Sequence, residues 1–326
     1  MRKRPIIILS VLALALAAAV AAAAWLVYTT AGSRLAMTIL FRLMPVTVEA
    51  ERIEGQLARE MTLEGLRVAW PAGEARVSSV RLRLQVLHLA AASLWLDEMD
   101  VQGVAIDDEG PGSAPPYDLE WPRPPRLLAA IGGGIRELRV GEVAYRKRGR
   151  DPVLVHEARG EVSWGRGSVL AVRDLAIRLP DAKVEGSVRA GFLFPSLQAD
   201  LTVRPDRESG KFDTYALKAD LAAGKEPEQV SGPVALDVTS GIRLRSRVEG
   251  EMGLTRQAVH FRNLQWKDGE GRAFLTAQGQ VDVSTEEILA GASFRIAEVS
   301  WIPALALAGT IELAGRPERY EGTITL

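Results

Sequence analysis

Past Thr47 the chain alternates apolar with polar side chains at a period of two, a pattern that a one-sided β-sheet satisfies and a helix cannot. Val80, Leu82, Leu84 and Val86 are interleaved with Arg81, Arg83 and Gln85. Leu201 and Val203 continue a run from Leu197 and Ala199, and are interleaved with Asp200, Thr202 and Arg204. Tyr215, Leu217, Ala219 and Leu221 alternate with Lys218 and Asp220. Ile242, Leu244 and Val248 alternate with Arg243, Arg245 and Arg247, and Leu305, Leu307, Ile311 and Leu313 repeat the theme. Burial on one face only is the habit of antiparallel sheets.

Turn signals separate the runs: Pro71-Ala72-Gly73, Pro205-Asp206 and Lys267-Asp268-Gly269. A strand unit also recurs, a glycine followed two residues on by an aliphatic residue, at Gly160/Val162, Gly186/Val188, Gly279/Val281, Gly309/Ile311 and Gly322/Ile324. Repetition of one strand unit suggests an elongated body in which each unit meets its neighbours, with an ordinary sandwich as the plainer alternative. Only 6% of residues are aromatic, thin provision for the core of a sandwich. Helical pieces are short. Leu35, Ile39, Leu40 and Leu43 have helical spacing, with Ser33 as a candidate cap and Pro45 as the stop. Val86–Leu94 allows a turn or two, and Ser284–Leu289 reads as a helical turn because Ser284 and Glu287 have capping-box spacing. A proline-rich stretch, residues 111–126, reads as an extended linker between a first β lobe, 46–110, and a longer strand-repeat body, 127–326.

Ahead of these stands a segment of another kind. Arg2, Lys3 and Arg4 precede an uncharged stretch whose apolar part runs from Ile6 to Tyr28. About 20 apolar residues cross a hydrocarbon core, and the flanking charge orients the remainder away from the cytoplasm. Residues 1–31 therefore read as a membrane anchor, with Ile6, Leu12 and Leu16 in the lipid and Trp25 and Tyr28 at the interface. Residues 32–45 form the short amphipathic helix after it. A cleaved signal peptide is the alternative, because Ala17–Ala24 offers small-residue cleavage sites.

The chemistry of catalysis is hard to find. With no cysteine there is no disulfide framework, thiolate metal site or thiol nucleophile. The formal net charge of −1 offers no basic field for nucleic acid. The three histidines, His88, His156 and His260, are far apart and lack motif neighbours. The acidic cluster Asp97, Glu98, Asp100, Asp107, Asp108 and Glu109 matches no calcium-loop spacing, and reads as a solvated turn. Gly132-Gly133-Gly134 leads into a strand and so lacks the helix that a phosphate cradle needs. The basic run Arg146–Arg150 suits a hairpin tip as well as a contact with lipid headgroups or nucleic acid. The expectation is a protein without cofactor, metal or enzymatic activity.

One resemblance gives this body a context. Ile53-Glu54-Gly55-Gln56-Leu57, Leu63-Glu64-Gly65-Leu66-Arg67-Val68, Val77–Val86, Leu94-Trp95-Leu96 and Val101-Gln102-Gly103-Val104 resemble, in order and spacing, the start of the TamB family. That family is the inner-membrane component of the translocation and assembly module, within the AsmA-like group of bacterial envelope proteins. Thr30–Leu35 and Ile135–Val143 are similar to it as well. The likeness is detailed over roughly the first 150 residues, and beyond them it rests on the strand repeat alone. It implies a sheet curled into a taco-like trough with an apolar interior. It also implies an inner-membrane, periplasm-facing location and a role in outer-membrane biogenesis. Phospholipid would be the cargo, and a TamA-like outer-membrane barrel would be the partner of a fuller-length chain. The chain is much shorter than the usual family length and shows no recognisable C-terminal domain, so it reads as the front part of something longer.

Two functional expectations follow. In the first, the apolar face carries phospholipid towards the outer membrane, with Val80, Leu82, Leu84, Val86, Leu201, Val203, Leu217, Ile242, Leu244, Leu305, Leu307 and Ile311 as groove residues. In the second, the chain is an assembly module whose sheet edge pairs with a client strand.

Overall fold

The computed structural model describes residues 21–22, 24–44, 46–89, 93–109, 118–123, 132–148, 151–165, 168–206, 214–239, 245–285, 287–296, 307–316 and 319–325. Helix α1 is Thr30–Leu43, followed by strands β1 (Thr47–Glu49), β2 (Arg52–Gln56), β3 (Glu60–Trp70) and β4 (Gly73–Leu84). A single helical turn, α2 (Val86–Leu89), precedes β5 (Ser93–Asp108) and β6 (Gly132–Lys147). Then come β7 (Val153–Gly165), β8 (Val169–Arg178), β9 (Ala182–Gly191), β10 (Ser196–Pro205), β11 (Thr214–Ala223) and β12 (Val230–Thr239). The series ends with β13 (Arg245–Leu254), β14 (Ala258–Lys267), β15 (Ala273–Asp282), β16 (Ile288–Ile296), β17 (Leu307–Arg316) and β18 (Arg319–Thr325). The protein is mainly β, and among the described residues 18 strands form one long, mostly antiparallel sheet.

Two compact units divide the chain, the first holding α1 through β6 and the second holding residues 118–123 with the strands after β6. In the first, β1 and β2 both pair with β3, which pairs with β4, and β4 with β5. Strand β6 lies beside β5, where the Tyr145 hydroxyl donates to the Asp108 carboxylate at 2.9 Å. The Arg148 N–H donates to the Asp108 carbonyl at 3.0 Å. Gly103, at φ +64°, faces Ser78 so closely that a Cβ would collide with its hydroxyl, which is why a glycine stands mid-strand.

Helix α1 lies on the apolar side of these strands and makes a well-buried core with them. Met37 from the helix joins Met61, Leu63 and Val80, and Phe41, Ile53, Leu57, Leu82 and Met99 pack around them. Met61 is wholly excluded from solvent. The helix begins one turn earlier than the Ser33 cap expected from sequence. Thr29 is the cap, its hydroxyl accepting from the Gly32 N–H at 3.0 Å. Ser33 is instead buried inside the helix. Its hydroxyl donates to the Leu26 carbonyl at 3.1 Å and accepts from the Leu57 N–H at 3.1 Å, tying helix to sheet. A capping residue belongs at a solvated terminus, and the need for an acceptor opposite Leu57 puts this serine elsewhere.

Ile6, Leu12 and Leu16 of the expected anchor lie outside the described residues. Trp25 and Tyr28 are exposed. Among the described residues no helix is long and apolar enough to cross a membrane.

In the second unit β7 to β18 follow in sequence order, each described pair antiparallel. The recurring glycines mark places where neighbouring backbones approach closely. A Cβ on Gly186 would strike the Asp200 carbonyl, and one on Gly279 the Gly291 carbonyl. The helical turn read into Ser284–Leu289 does not form at its start. The Asp282 carboxylate accepts from the Ser284 N–H at 2.8 Å and from its hydroxyl at 2.7 Å, making a local turn, and β16 begins by Ile288.

Met61→Ala should lower the stability of the first unit by about 2–5 kcal/mol through the cavity it leaves, read as a fall in the urea midpoint. Ser33→Ala orphans the partly buried Leu57 N–H and should cost about 1–3 kcal/mol. Faster hydrogen exchange at the Leu57 amide would accompany that loss, and an unchanged midpoint would contradict the tie between helix and sheet.

Candidate functional site: the apolar face of the second unit

Residues directly opposite each other on antiparallel strands share a face. Following the registers from β10 to β17 gives one rung: Leu201, Leu217, Leu236, Val248, Trp266, Leu275, Ile296 and Leu307. All eight are large and apolar, and none is buried. Leu217 is 40% and Trp266 42% exposed, in contrast to Met61 under α1 at 0%. A second rung holds Ile177, Val184, Val203, Tyr215 and Val238. A third holds Met252, Phe261, Gly279, Ala292, Ile311 and Ile324. At about 4.8 Å per strand, the first rung runs roughly 34 Å across the sheet.

The other face is charged. Lys218 pairs with Asp200 at 3.6 Å and Arg247 with Asp237 at 3.6 Å, each directly across a strand boundary. Glu249 takes hydrogen bonds from Lys267 and Arg247, and those two cations hold its carboxyl below the usual carboxylate range. Exposed pairs like these add little stability. Their value here is to identify the water-facing side. Two hollows, of about 930 and 760 Å³, open at the β11–β12 and β13–β14 turns and the strand residues beside them, and most of their lining residues are of polar type, among them Glu228, His260, Gln280 and Asp282. The Arg262 guanidinium there is paired with Glu228. Among the described residues no group of three or more His, Asp or Glu side chains is placed to hold a metal ion.

The structure separates the residues expected to form a groove. Leu201, Leu217 and Leu307 lie on the first rung, Val203 on the second and Ile311 on the third. Val80, Leu82 and Leu84 belong to the first unit, where Val80 and Leu84 are buried and Leu82 packs against the cluster with α1. Val80 and Leu82 belong to the core that the helix covers, and Leu84 is buried outside that cluster. Val86 is not on a strand but opens α2, since β4 ends at Leu84 and the Gln85 N–H turns to the Trp95 carbonyl at 2.8 Å. Ile242, Leu244 and Leu305 lie outside the described residues.

Leu236, Leu275 and Ile296 stand in plain alternating runs, Val234–Val238, Leu275–Val281 and Ala290–Ile296, that are not among the expected groove residues, whereas Phe261 and Trp266 are not marked by strict alternation, for a reason visible in β14. The register shifts between Phe261 and Leu264, and Asn263 sits at φ +52°. A bulge of this kind returns two residues three apart to the same face. Strand β8 does the same between Val172 and Leu175, with Asp174 at φ +49°. Asn or Asp inside a broken alternation was the available signal, because these residues tolerate the left-handed conformation.

The comparisons with known proteins bear on the other end of the chain. The TamB N-terminal domain, taken as a family model, matches residues 19–124. No curated protein and no solved structure matches the chain. The matched residues take in α1, the buried cluster and β1 to β5, so the N-terminal part of this chain is TamB-like.

Proposed function

We propose that the chain is an inner-membrane-anchored periplasmic protein whose second unit carries the acyl chains of phospholipid along its apolar face, in outer-membrane biogenesis. One observation carries the reading: an eight-residue apolar rung, continuous from β10 to β17, lies on a face where no described element covers it as α1 covers the first unit. Contiguous apolar surface of this extent marks a binding face in a soluble body. The TamB-like N-terminal part supports a place in the bacterial envelope.

The dimensions suit the cargo. One leaflet of a bilayer is about 15 Å of hydrocarbon, half of a roughly 30 Å core, so the rung is about two acyl chains long. Each methylene taken from water contributes about 0.8 kcal/mol, and a chain of about 16 carbons gains on the order of 10 kcal/mol before costs. Because that gain is spread along an unpatterned apolar strip, a lipid can shift from rung to rung without breaking a specific bond. No catalytic step or cofactor is required. An outer-membrane barrel would receive lipid from a fuller-length protein of this kind.

The test is native mass spectrometry, with lipid extraction, of the full chain purified from a bacterial envelope. Phospholipid should co-purify. Leu217→Asp and Trp266→Asp each place a charge on the half-exposed rung, and should cut retained lipid about tenfold or more. Both should leave the unfolding free energy in urea almost unchanged, within about 1 kcal/mol, since neither side chain is in a core. A lipid-free chain, or retention unmoved by both substitutions, would sink the proposal and favour the assembly-module reading.

A further inference from the structure

Residues 118–123, from the stretch read as a proline-rich linker, do something more specific than connect. They run as an extended strap over one end of the second unit and bind three successive hairpin turns. The Leu119 N–H donates to the Arg256 carbonyl, in the β13–β14 turn, at 2.8 Å. Arg256 returns its guanidinium to the Asp118 carboxylate at 2.6 and 3.2 Å. Gln229, at the β11–β12 turn, donates to the Leu119 carbonyl at 2.9 Å and accepts from the Trp121 N–H at 2.7 Å. The Trp121 indole donates to the Gly191 carbonyl, in the β9–β10 turn, at 2.8 Å. Exposure alternates along the strap, with Asp118 and Glu120 open to solvent and Leu119 and Trp121 half-buried.

Burial on the strands follows the strap. On the apolar face at this end Leu221, Val230 and, just past β15, Val283 are at most 9% exposed, and Ala258, paired with Asp282 on the charged face, is buried there too. Towards the opposite ends of the same strands, Tyr215, Leu217 and Trp266 are 37–42% exposed. On a flat sheet the first and third of these turns would be about 19 Å apart, four strand spacings. Two backbone residues and one tryptophan side chain connect them here.

We propose that the strap is an intramolecular stopper. Leu119 and Trp121 keep the strapped end of β9–β14 closed, so that a ligand's apolar chain has only the open half of the face, and release of the strap enlarges what the face accepts. The part of this statement that concerns ligand rests on the lipid reading; the closure itself does not. The Arg256 guanidinium holds the Asp118 carboxyl below the ordinary carboxylate range, in keeping with an ion pair formed at neutral pH.

The chain has no native cysteine, so a single introduced thiol reports without background. In Val230→Cys the thiol should react slowly with a maleimide. Adding Gln229→Ala, or Trp121→Phe with Asp118→Asn, removes strap bonds and should speed labelling by about tenfold for each hydrogen bond lost. Val80→Cys in the first unit, carried with the same strap substitutions, should not change. Lipid retained per chain should rise with the labelling rate. Unchanged Val230→Cys labelling, in both strap variants and with the strap amides exchanging faster, would overturn the stopper. Faster labelling of Val80→Cys in one variant would mark that variant as misfolded, and the other variant then decides. Faster Val230→Cys labelling with no phospholipid on any variant would keep the closure and reject the lipid reading alone.

Discussion

Cross-strand register is the constraint on which the second unit depends. A sheet with one apolar face normally hides it under a second layer, and the gain from that burial secures the fold. Here eight consecutive strands deliver Leu201, Leu217, Leu236, Val248, Trp266, Leu275, Ile296 and Leu307 to one line, and the line stays half-exposed. The strands are therefore held chiefly by backbone ladders and by side-chain contacts between neighbours on the same face. The Trp266 ring shows how local such contacts are, tilted at 42° against Phe274 with centroids 5.4 Å apart. Stability built from nearest neighbours does not require a closed core, and so an apolar face can be left for something else.

The first unit shows the ordinary solution beside the unusual one. Its strands have the same alternation, yet α1 lies across them and drives Met61, Leu63 and Val80 below 5% exposure. Ser33 makes that docking specific by meeting the Leu57 N–H with a hydroxyl. The TamB-like match covers this helix-capped part, whereas the open rungs lie after it. Family likeness and candidate surface thus belong to different stretches of the chain. The functional reading needs both, the first for location and the second for chemistry.

Alternation made the strand class legible in the sequence, and the turns at Pro71-Ala72-Gly73 and Lys267-Asp268-Gly269 fall between strands as expected. Three things were not legible. Bulges at Asp174 and Asn263 break the period of two while preserving the face, so a strict count of alternate positions loses Trp266 and Phe261. The division of apolar residues between a closed core and an open face depends on where α1 docks, and nothing in the pattern Val80-Arg81-Leu82 distinguishes it from Leu217-Lys218-Ala219. The strap was hidden because its partners Gly191, Gln229 and Arg256 are 70 to 138 residues away from it in sequence. Prolines predict an extended path well, and say nothing of the surface on which that path lies.

The glycine repeat links these observations. In the sequence, Gly186/Val188 and Gly279/Val281 have the signature of a repeated unit. In the structure, each of these glycines opposes apolar neighbours, Gly186 facing Leu201 and Gly279 facing Phe261, at a point where a side chain would strike the next backbone. Absent side chains on the apolar face let adjacent strands approach and deepen the face locally, while the aliphatic residue two positions on keeps it apolar. A sheet meant to be covered by a second protein layer would gain more from a large side chain at those positions, because filled volume stabilises a closed core. Small residues there suit a face whose missing volume is supplied from outside the chain.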